Sequence, residues 1–293
     1  MDIKKGKSVQ WIDIHEPTEK ELQWIATQFN IHPVIIEELR GPSARARVEA
    51  YKNYLYFVYY FPLYDKEDEA SIRTEIDFIV TPDTVITVHY EPMKDVYDGF
   101  EVRHLSSSLA VVYNLIEHLM SFEDRQLRHV REKVETVGKE IFRGNEMDIL
   151  QRITYVKRDI SEYRIVIRLQ GPILHSLLLK GKKFWTDDAE IYLNDLLGDQ
   201  LKIVNQLEDY REAISDFEDT NNQLMNLKIN SVMKTFTSLS FLTFPFVLLA
   251  AIFSMNTRDT PIINLTGAFW IVTGTMALAM ILLLIYFKRK GWF

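Results

Sequence analysis

Two long stretches without a charged residue constrain the fold of this 293-residue chain more than any other feature. Residues 236–253 and residues 262–287 contain no Asp, Glu, Lys or Arg. At ~1.5 Å per residue, helices of these lengths cover roughly 27 Å and 39 Å, close to or above the ~30 Å thickness of a hydrocarbon layer. The alternative, two core helices of a soluble protein, needs a large partner layer of which the remaining chain gives no sign. We therefore predict two transmembrane helices.

The residues that flank these stretches predict their orientation. Five basic residues adjoin the outer ends: Lys228, Lys234, Lys288, Arg289 and Lys290. The connection between the stretches, residues 254–261, carries only Arg258, which Asp259 balances. Lys and Arg accumulate on the cytoplasmic side of membrane proteins. We expect a multi-pass protein of the inner or plasma membrane, with both termini in the cytoplasm and a short external loop.

Composition narrows the classes of function. The chain has no cysteine, so oxygen or imidazole must hold any bound metal. The formal net charge is −7, and because four of 34 basic and one of 41 acidic residues follow residue 235, the first 235 residues carry −10. This charge argues against a nucleic-acid partner and favours a cationic one. The sequence has no HExxH, Walker A or Gly-rich dinucleotide motif and its histidines are scattered, so we do not expect an enzyme.

The N-terminal section, residues 1–105, is predicted to be a compact α/β unit. Three β-branched and aromatic runs predict strands: residues 54–61, 76–80 and 84–89. Thr18 and Glu21 form the pattern of a capping box, and Pro33 opens a short helix. The polar start of the chain lacks the apolar region of a signal peptide, and we expect this unit to stay in the cytoplasm.

From residue 106 onward the strand signals stop and helical periodicity takes over. We predict helices up to Arg143 and over residues 148–180, the latter with Pro172 as a kink. The predicted fold class is α+β and mostly helical. It consists of an α/β cytoplasmic domain (1–105), a helical region that includes the start of a long stalk helix (106–235) and a two-helix transmembrane region (236–293).

A single long helix is predicted from residue 187 into the first transmembrane stretch, since neither Gly nor Pro occurs between Asp199 and Phe244. About 65 helical residues would measure ~100 Å, so the helix needs packing partners along its length. Apolar residues recur in steps of four and three, with Asn221 as one interruption, at Ile203, Leu207, Tyr210, Ile214, Phe217 and Leu224. This seam fits either a coiled-coil-like bundle or the shorter helices of the same chain.

A second row on the same helix points to cation transport. It changes from acidic to amide to small hydroxyl and apolar residues: Asp209, Glu212, Asp216, Asp219, Gln223, Asn226, Asn230, Met233, Thr237, Ser240, Phe244, Val247, Ala251 and Ser254. A solvated face explains the acidic half, but not the polar residues that keep this register into the membrane. Two spans from one chain cannot enclose a path. The row therefore predicts a cation pore in a cyclic homo-oligomer.

The chain resembles the CorA family of divalent-cation channels, in which a Gly-Met-Asn triplet closes the first span. The resemblance rests on NSVMKTFTSLSFLTFPFVLLAAIFSMN, a short loop, a second span and the terminal KRKGWF. Six further segments occur in the family's order: WIDIHEPTEKEL, FNIHPVIIEEL, RVEAYKNYLYFVYY, EIDFIV, TVITVHYEP and NDLLGDQ. The resemblance implies a homopentamer in the lipid bilayer that passes Mg²⁺ inward, driven by the ion gradient and the membrane potential.

The resemblance also implies site residues. The selectivity filter would be Ser254, Met255 and Asn256, with Ser254 in place of the family's Gly. Serine does not adopt positive φ as readily as glycine, which puts the loop geometry in question. The pore would be lined by Asp219, Asn230, Met233, Thr237, Ser240, Phe244, Val247 and Ala251. Asn256 offers the neutral oxygen that suits hydrated Mg²⁺, although an Asn that caps the helix end would look the same.

A regulatory divalent-cation site between subunits is implied as well. Glu38 and Asp195 match the family's inhibitory ligands, with Glu37 and Asp199 nearby. The alternative for Glu38 and Asp195 is a pair of solvated surface carboxylates. The ion itself stays open, because the loop after Asn256 keeps only Asp259, opposed by Arg258. Zn²⁺, Co²⁺ and Ni²⁺ are the alternatives to Mg²⁺. A membrane-anchored protein that senses divalent ions without conducting them is the alternative function.

Overall fold

The computed structural model describes residues 1–5, 8–43, 45–65, 70–93, 96–97, 106–143, 145–182, 184–185, 188–255 and 266–290. The chain forms two compact units, Met1–Glu218 and Asp219–Phe293. The strands are β1 (Asp2–Lys5), β2 (Gln10–His15), β3 (Val48–Ala50), β4 (Leu55–Asp65), β5 (Ala70–Val80) and β6 (Thr84–His89). The helices are α1 (Glu19–Phe29), α2 (Pro33–Glu38), α3 (Ser108–Glu140), α4 (Glu146–Gly181), α5 (Asp188–Ser254) and α6 (Ala268–Arg289).

The strands of the first unit form one six-stranded sheet in the order β1-β2-β6-β5-β4-β3. Only the β2–β6 pair is parallel. β4 is buried without alternation from Leu55 to Phe61, and α3 and α4 pack against it. The three predicted strands are confirmed. β5 extends further toward its N-terminus than predicted, and β1, β2 and β3 were not foreseen.

The short helices begin where the sequence predicts. The Thr18 hydroxyl accepts from the Glu21 amide at 3.4 Å, while the Glu21 carboxylate accepts from the Thr18 amide at 2.8 Å, which completes the capping box. α2 begins at Pro33, and His32 Nδ1 accepts from the Val34 amide at 3.2 Å. These caps satisfy backbone donors that a helix start leaves unpaired.

The apolar seam of α5 is covered by the chain's own helices. Ile203, Leu207 and Ile214 are buried. The ring of Phe217 lies so close to Gly138 of α3 that a Cβ at Gly138 would stand 2.7 Å from Phe217 Cζ. Of the two partners that the sequence left open, the shorter helices are the one observed for this part of the seam.

Charged pairs hold α4 alongside α5. Arg164 lies 2.8 Å from Glu208, and Lys157 lies 2.7 Å from Glu218. These pairs run in opposite directions along the two helices, which are therefore antiparallel. Helix α4 continues through Pro172.

The second unit contains the membrane-spanning part of α5 and helix α6. Both carry an apolar stretch long enough to cross a membrane, and in α6 none of that stretch is buried within the chain. The alternative of two soluble core helices is therefore wrong. Ala250 and Phe253, near the end of α5, line a groove with Phe269 and Val272, near the start of α6. The two spans thus pack as an antiparallel hairpin.

Candidate ion path and divalent-cation sites

The membrane-spanning part of α5 has two opposite faces. The buried face includes Ser238 and Leu242 and continues through Phe253 to the groove shared with α6. At about 100° per residue, Phe244 and Val247 lie roughly half a turn from that face. Their side chains are 69% and 64% exposed. In one chain, this part of the predicted row therefore points away from α6.

Other members of the row share this side of α5, with two departures. Asp219, Asn230, Met233, Ser240 and Ala251 are exposed. Thr237 is half-buried, and Ser254 lines the groove with α6. The structure thus places most of the predicted pore residues on one surface of α5. Among the described residues of the second unit, no other element covers this surface.

The hydroxyl oxygen of Ser240 can accept hydrogen bonds. Ser240 Oγ donates to the Phe236 carbonyl at 3.0 Å, so its remaining capacity is lone pairs. The water molecules around a hydrated cation point their hydrogens outward and need acceptors. Pro245 lies one residue after Phe244 and supplies no N–H to the carbonyl four residues earlier, which marks this depth as a place where the helix can bend.

The predicted filter lies at the C-terminal end of α5. Ser254 is the last helical residue and does not have positive φ, so serine replaces glycine there without backbone strain. Met255 is exposed, and its amide donates to the Ile252 carbonyl at 3.2 Å. Asn256 and the loop residues 257–261, which include Arg258 and Asp259, lie outside the described residues.

Glu38, the first predicted regulatory residue, already has partners within the chain. Ser43 Oγ donates to Glu38 Oε1 at 2.8 Å, and Arg47 forms a close ion pair with Glu38 Oε2. Burial opposes ionisation, but the hydrogen bonds from Arg47 and Ser43 outweigh it and hold the pKa of Glu38 below its ordinary value. Its neighbour Glu37 is exposed and pairs with Arg40 Nε at 2.9 Å.

Asp195 and Asp199 lie on α5, apart from these residues in the sequence. Tyr113 donates its hydroxyl to Asp195 Oδ2 at 2.6 Å, and burial followed by this hydrogen bond raises the pKa of Tyr113. Asp199 lines a small cavity with Asp124 of α3 and Lys202. Among the described residues of this single chain, no group of three or more His, Asp or Glu side chains is arranged to hold a metal ion.

A buried acid behind Glu38 escaped the sequence analysis. Asp77 of β5 is fully buried and accepts from the hydroxyls of Tyr56 at 2.6 Å and Tyr90 at 3.4 Å. Burial raises the pKa of Asp77 to about 8. The neighbouring Glu75 accepts from the Ser43 amide at 2.5 Å, and burial raises its pKa too. The signal was present: Glu75 and Asp77 occupy alternate positions in the strand, and Asp77 lies among the apolar residues of its C-terminal half.

A second buried network joins the parallel strands β2 and β6. Trp11 Nε1 donates to Thr87 Oγ1 at 2.9 Å, so Thr87 must use its own proton toward Asp13 Oδ1, at 2.5 Å. His89 Nε2 lies 3.2 Å from Asp13 Oδ2, and His89 Nδ1 lies 2.7 Å from the Glu91 carbonyl. Both ring nitrogens of His89 therefore have a hydrogen-bond partner within the first unit. The sequence gave His89 no visible partner.

Comparison with known proteins decides the family. Residues 6–289 match the family described as CorA-like Mg²⁺ transporter protein. The chain belongs to this family. Its members are transporters of divalent cations and not enzymes. The match covers nearly the whole chain, including both units.

Individual relatives agree with this assignment. The cobalt/magnesium transport protein CorA of Thermotoga maritima is 24% identical over 301 residues, which cover 100% of this chain and 86% of that protein. The complete structure of the CorA magnesium transporter from Methanocaldococcus jannaschii superposes with a TM-score of 0.82 at 19% identity, and covers 98% of this chain and 92% of that one. The full-length CmaX protein gives a TM-score of 0.75 at 16% identity, over 97% and 89% of the two chains. The fold is thus that of CorA.

Proposed function

We propose that this CorA-family chain assembles into a homopentamer in the inner or plasma membrane and passes Mg²⁺ into the cytoplasm. The observation that carries the proposal is the exposed row on α5, which lies opposite the α6 face at Phe244 and Val247. A hairpin of two helices cannot enclose a path. Several copies around an axis can, and this row is the side of α5 that α6 leaves available to face such an axis.

The residue types of the row suit a hydrated divalent ion. Mg²⁺ gives up its water reluctantly, so neutral acceptor oxygens are better partners than a carboxylate cage. Ser240 supplies such an oxygen, and Asn256 would supply a ring of amide oxygens at the external mouth. Phe244 would form an apolar constriction that excludes water when the helices approach each other. Energy would come from the ion gradient and the membrane potential, which is worth ~2.3 kcal/mol per charge per 100 mV.

A second ion has specific support. The Thermotoga relative carries both cobalt and magnesium in its name, and Ser254 departs from the family's Gly. Co²⁺ is therefore the first competitor to test, followed by Zn²⁺ and Ni²⁺. The basic residues at the outer ends of the two spans support an orientation with both termini in the cytoplasm, in which residues 254–261 would face outward.

Regulation would use a site shared between subunits. Glu37 and Glu38 of one subunit would bind a divalent ion together with Asp195 and Asp199 of its neighbour. Hard oxygen ligands suit Mg²⁺. A filled site would hold two acidic surfaces together and favour the closed, symmetric state by mass action.

Flux through the purified full-length protein tests conduction. Proteoliposomes would be loaded with a Mg²⁺ indicator, and uptake of Mg²⁺, Co²⁺, Zn²⁺ and Ni²⁺ would be compared at zero and at inside-negative potential. Asn256→Ala should abolish uptake while the pentamer still forms, because it removes a polar group and little packing. Wild-type uptake by Asn256→Ala would refute the filter, and no uptake of any ion by the wild type would favour the non-conducting sensor. Glu38→Lys with Asp195→Lys tests regulation and should make uptake insensitive to cytoplasmic Mg²⁺.

A further inference from the structure

The side chain of Arg47 lies between two carboxylates of its own subunit. Arg47 Nη2 forms the close ion pair with Glu38 Oε2, and Nη1 lies 3.3 Å from Glu49 Oε1. The Arg47 side chain is only 11% exposed and that of Glu38 only 23%. Ser43 donates to the other oxygen of Glu38. Both oxygens of Glu38 are therefore occupied by donors from the same chain.

We propose that Arg47 is a tethered cation that competes with the regulatory divalent ion for Glu38 and so sets the concentration at which the ion binds. This inference rests on the regulatory role proposed for Glu38. A metal ion needs lone pairs that the guanidinium now occupies, and two cations on one carboxylate repel each other strongly where solvent screening is weak. The ion can use Glu38 fully only after Arg47 has moved away.

The structure provides a place for Arg47 to go. Nη1 of Arg47 already forms an ion pair with Glu49. The guanidinium also lies over the ring of Tyr56, with Cζ 5.4 Å from the ring centroid. Tyr51 donates to the other Glu49 oxygen at 2.6 Å, which holds this carboxylate in position. A small rotation of the side chain would exchange Glu38 for a full pairing with Glu49. Arg47 would stay charge-paired throughout.

The neighbouring pair of Glu37 and Arg40 offers a matched control. Its side chains are 76% and 45% exposed, so water screens the attraction and a divalent ion displaces little. Both the Glu37–Arg40 pair and the Glu38–Arg47 pair thus join an arginine to a predicted metal ligand. Of the two arginines, only Arg47 is largely buried. The buried pair alone should set the affinity.

The test uses the full-length protein in detergent and follows its thermal stabilisation by Mg²⁺ as a function of Mg²⁺ concentration. Arg47→Gln removes the competitor and should lower the midpoint roughly tenfold, the equivalent of one charge-assisted hydrogen bond. Glu49→Gln removes the negative charge of the alternative acceptor, favours the pairing of Arg47 with Glu38 and should raise the midpoint. Arg40→Gln should leave the midpoint unchanged. Opposite shifts at Arg47 and Glu49 are not expected from a general loss of structure.

Two outcomes separate this inference from the proposed function. If Glu38→Gln leaves the Mg²⁺ midpoint unchanged, Glu38 is not the sensor and the proposed regulation fails. If Glu38→Gln abolishes the effect but Arg47→Gln leaves the midpoint unchanged or raises it, the competition is refuted. Should Arg47→Gln fail to assemble, Glu49→Gln still decides, because an unchanged or lowered midpoint there contradicts the exchange of partners.

Discussion

Asp77→Asn should make the first unit less sensitive to rising pH. Asp77 is fully buried in β5, and burial raises its pKa from 3.8 to about 8. The folded state therefore keeps a proton that the unfolded chain releases above about pH 4. Between these values the folded state binds more protons, so stability falls as pH rises and levels off above about pH 8.

The size of the effect follows from one proton per chain. A single group contributes a slope of about 1.4 kcal/mol per pH unit to the free energy of unfolding within this window. Glu38 and Glu49 have lowered pKa values, so the stability that they contribute is lost only below their ordinary range and stays constant above about pH 5.5. Glu75, whose pKa is raised, adds to the same downward trend. The difference between wild type and Asp77→Asn therefore reports on Asp77 and its electrostatic coupling to Glu75.

The assay is pulse proteolysis of the full-length protein in urea from pH 5.5 to pH 7.5. Wild type should lose about 3 kcal/mol more than Asp77→Asn over this range. Glu132→Gln, which changes a largely exposed carboxylate, is the matched control and should follow the wild type. An infrared band of a protonated carboxyl that disappears in Asp77→Asn would identify the group directly. Parallel pH profiles for wild type and Asp77→Asn would refute the reasoning.

Gly138→Ala should cost about 1–3 kcal/mol of unfolding free energy, because its Cβ would meet Phe217 at 2.7 Å, and Phe217→Leu should restore part of that loss in urea unfolding. No restoration would contradict the contact. Asp13→Ala should cost about 1–3 kcal/mol of unfolding free energy in urea unfolding, because it removes the hydrogen-bond partner of the Thr87 hydroxyl and of His89 Nε2. Unchanged stability would refute the assigned network. Four carboxylates precede the membrane on the predicted row: Asp209, Glu212, Asp216 and Asp219. Their joint neutralisation should lower conductance at low ionic strength and leave the order of ion preference unchanged, because they concentrate cations without selecting among them; a changed order would show that they select.

Features encoded in local patterns were predictable from the sequence. The uncharged spans, the capping box at Thr18 and the buried strand from Leu55 each depend on neighbours within a few residues. β1 and β3 were missed because they are short, and all three missed strands gain their stability from pairing. β2 joins β6 more than seventy residues later, in a parallel register that no local signal specifies.

The candidate sites show the same division. Periodicity placed Phe244 and Val247 on one face of α5 without any knowledge of α6. Periodicity could not reveal that Arg47 forms an ion pair with Glu38, because the two residues meet across a loop whose path depends on the sheet. Glu123 is a further example: the period of α3 puts it on the buried face, but its partner Gln170, which donates to Glu123 Oε1 at 2.6 Å, comes from a different helix.

In the proposed pore, each chain supplies one copy of each row residue, such as Phe244. Helix α6 lies on the other side of α5 and would not face the pore. Each row position would then form a ring of side chains around the path, with one side chain from each subunit. A single subunit with an altered row residue would therefore change the ring at that position. In a cell that makes equal amounts of normal and altered chains, random assembly into fives leaves only about one channel in thirty without an altered chain. Damage to the row should therefore be dominant, whereas an altered chain that cannot assemble would simply be lost from the population.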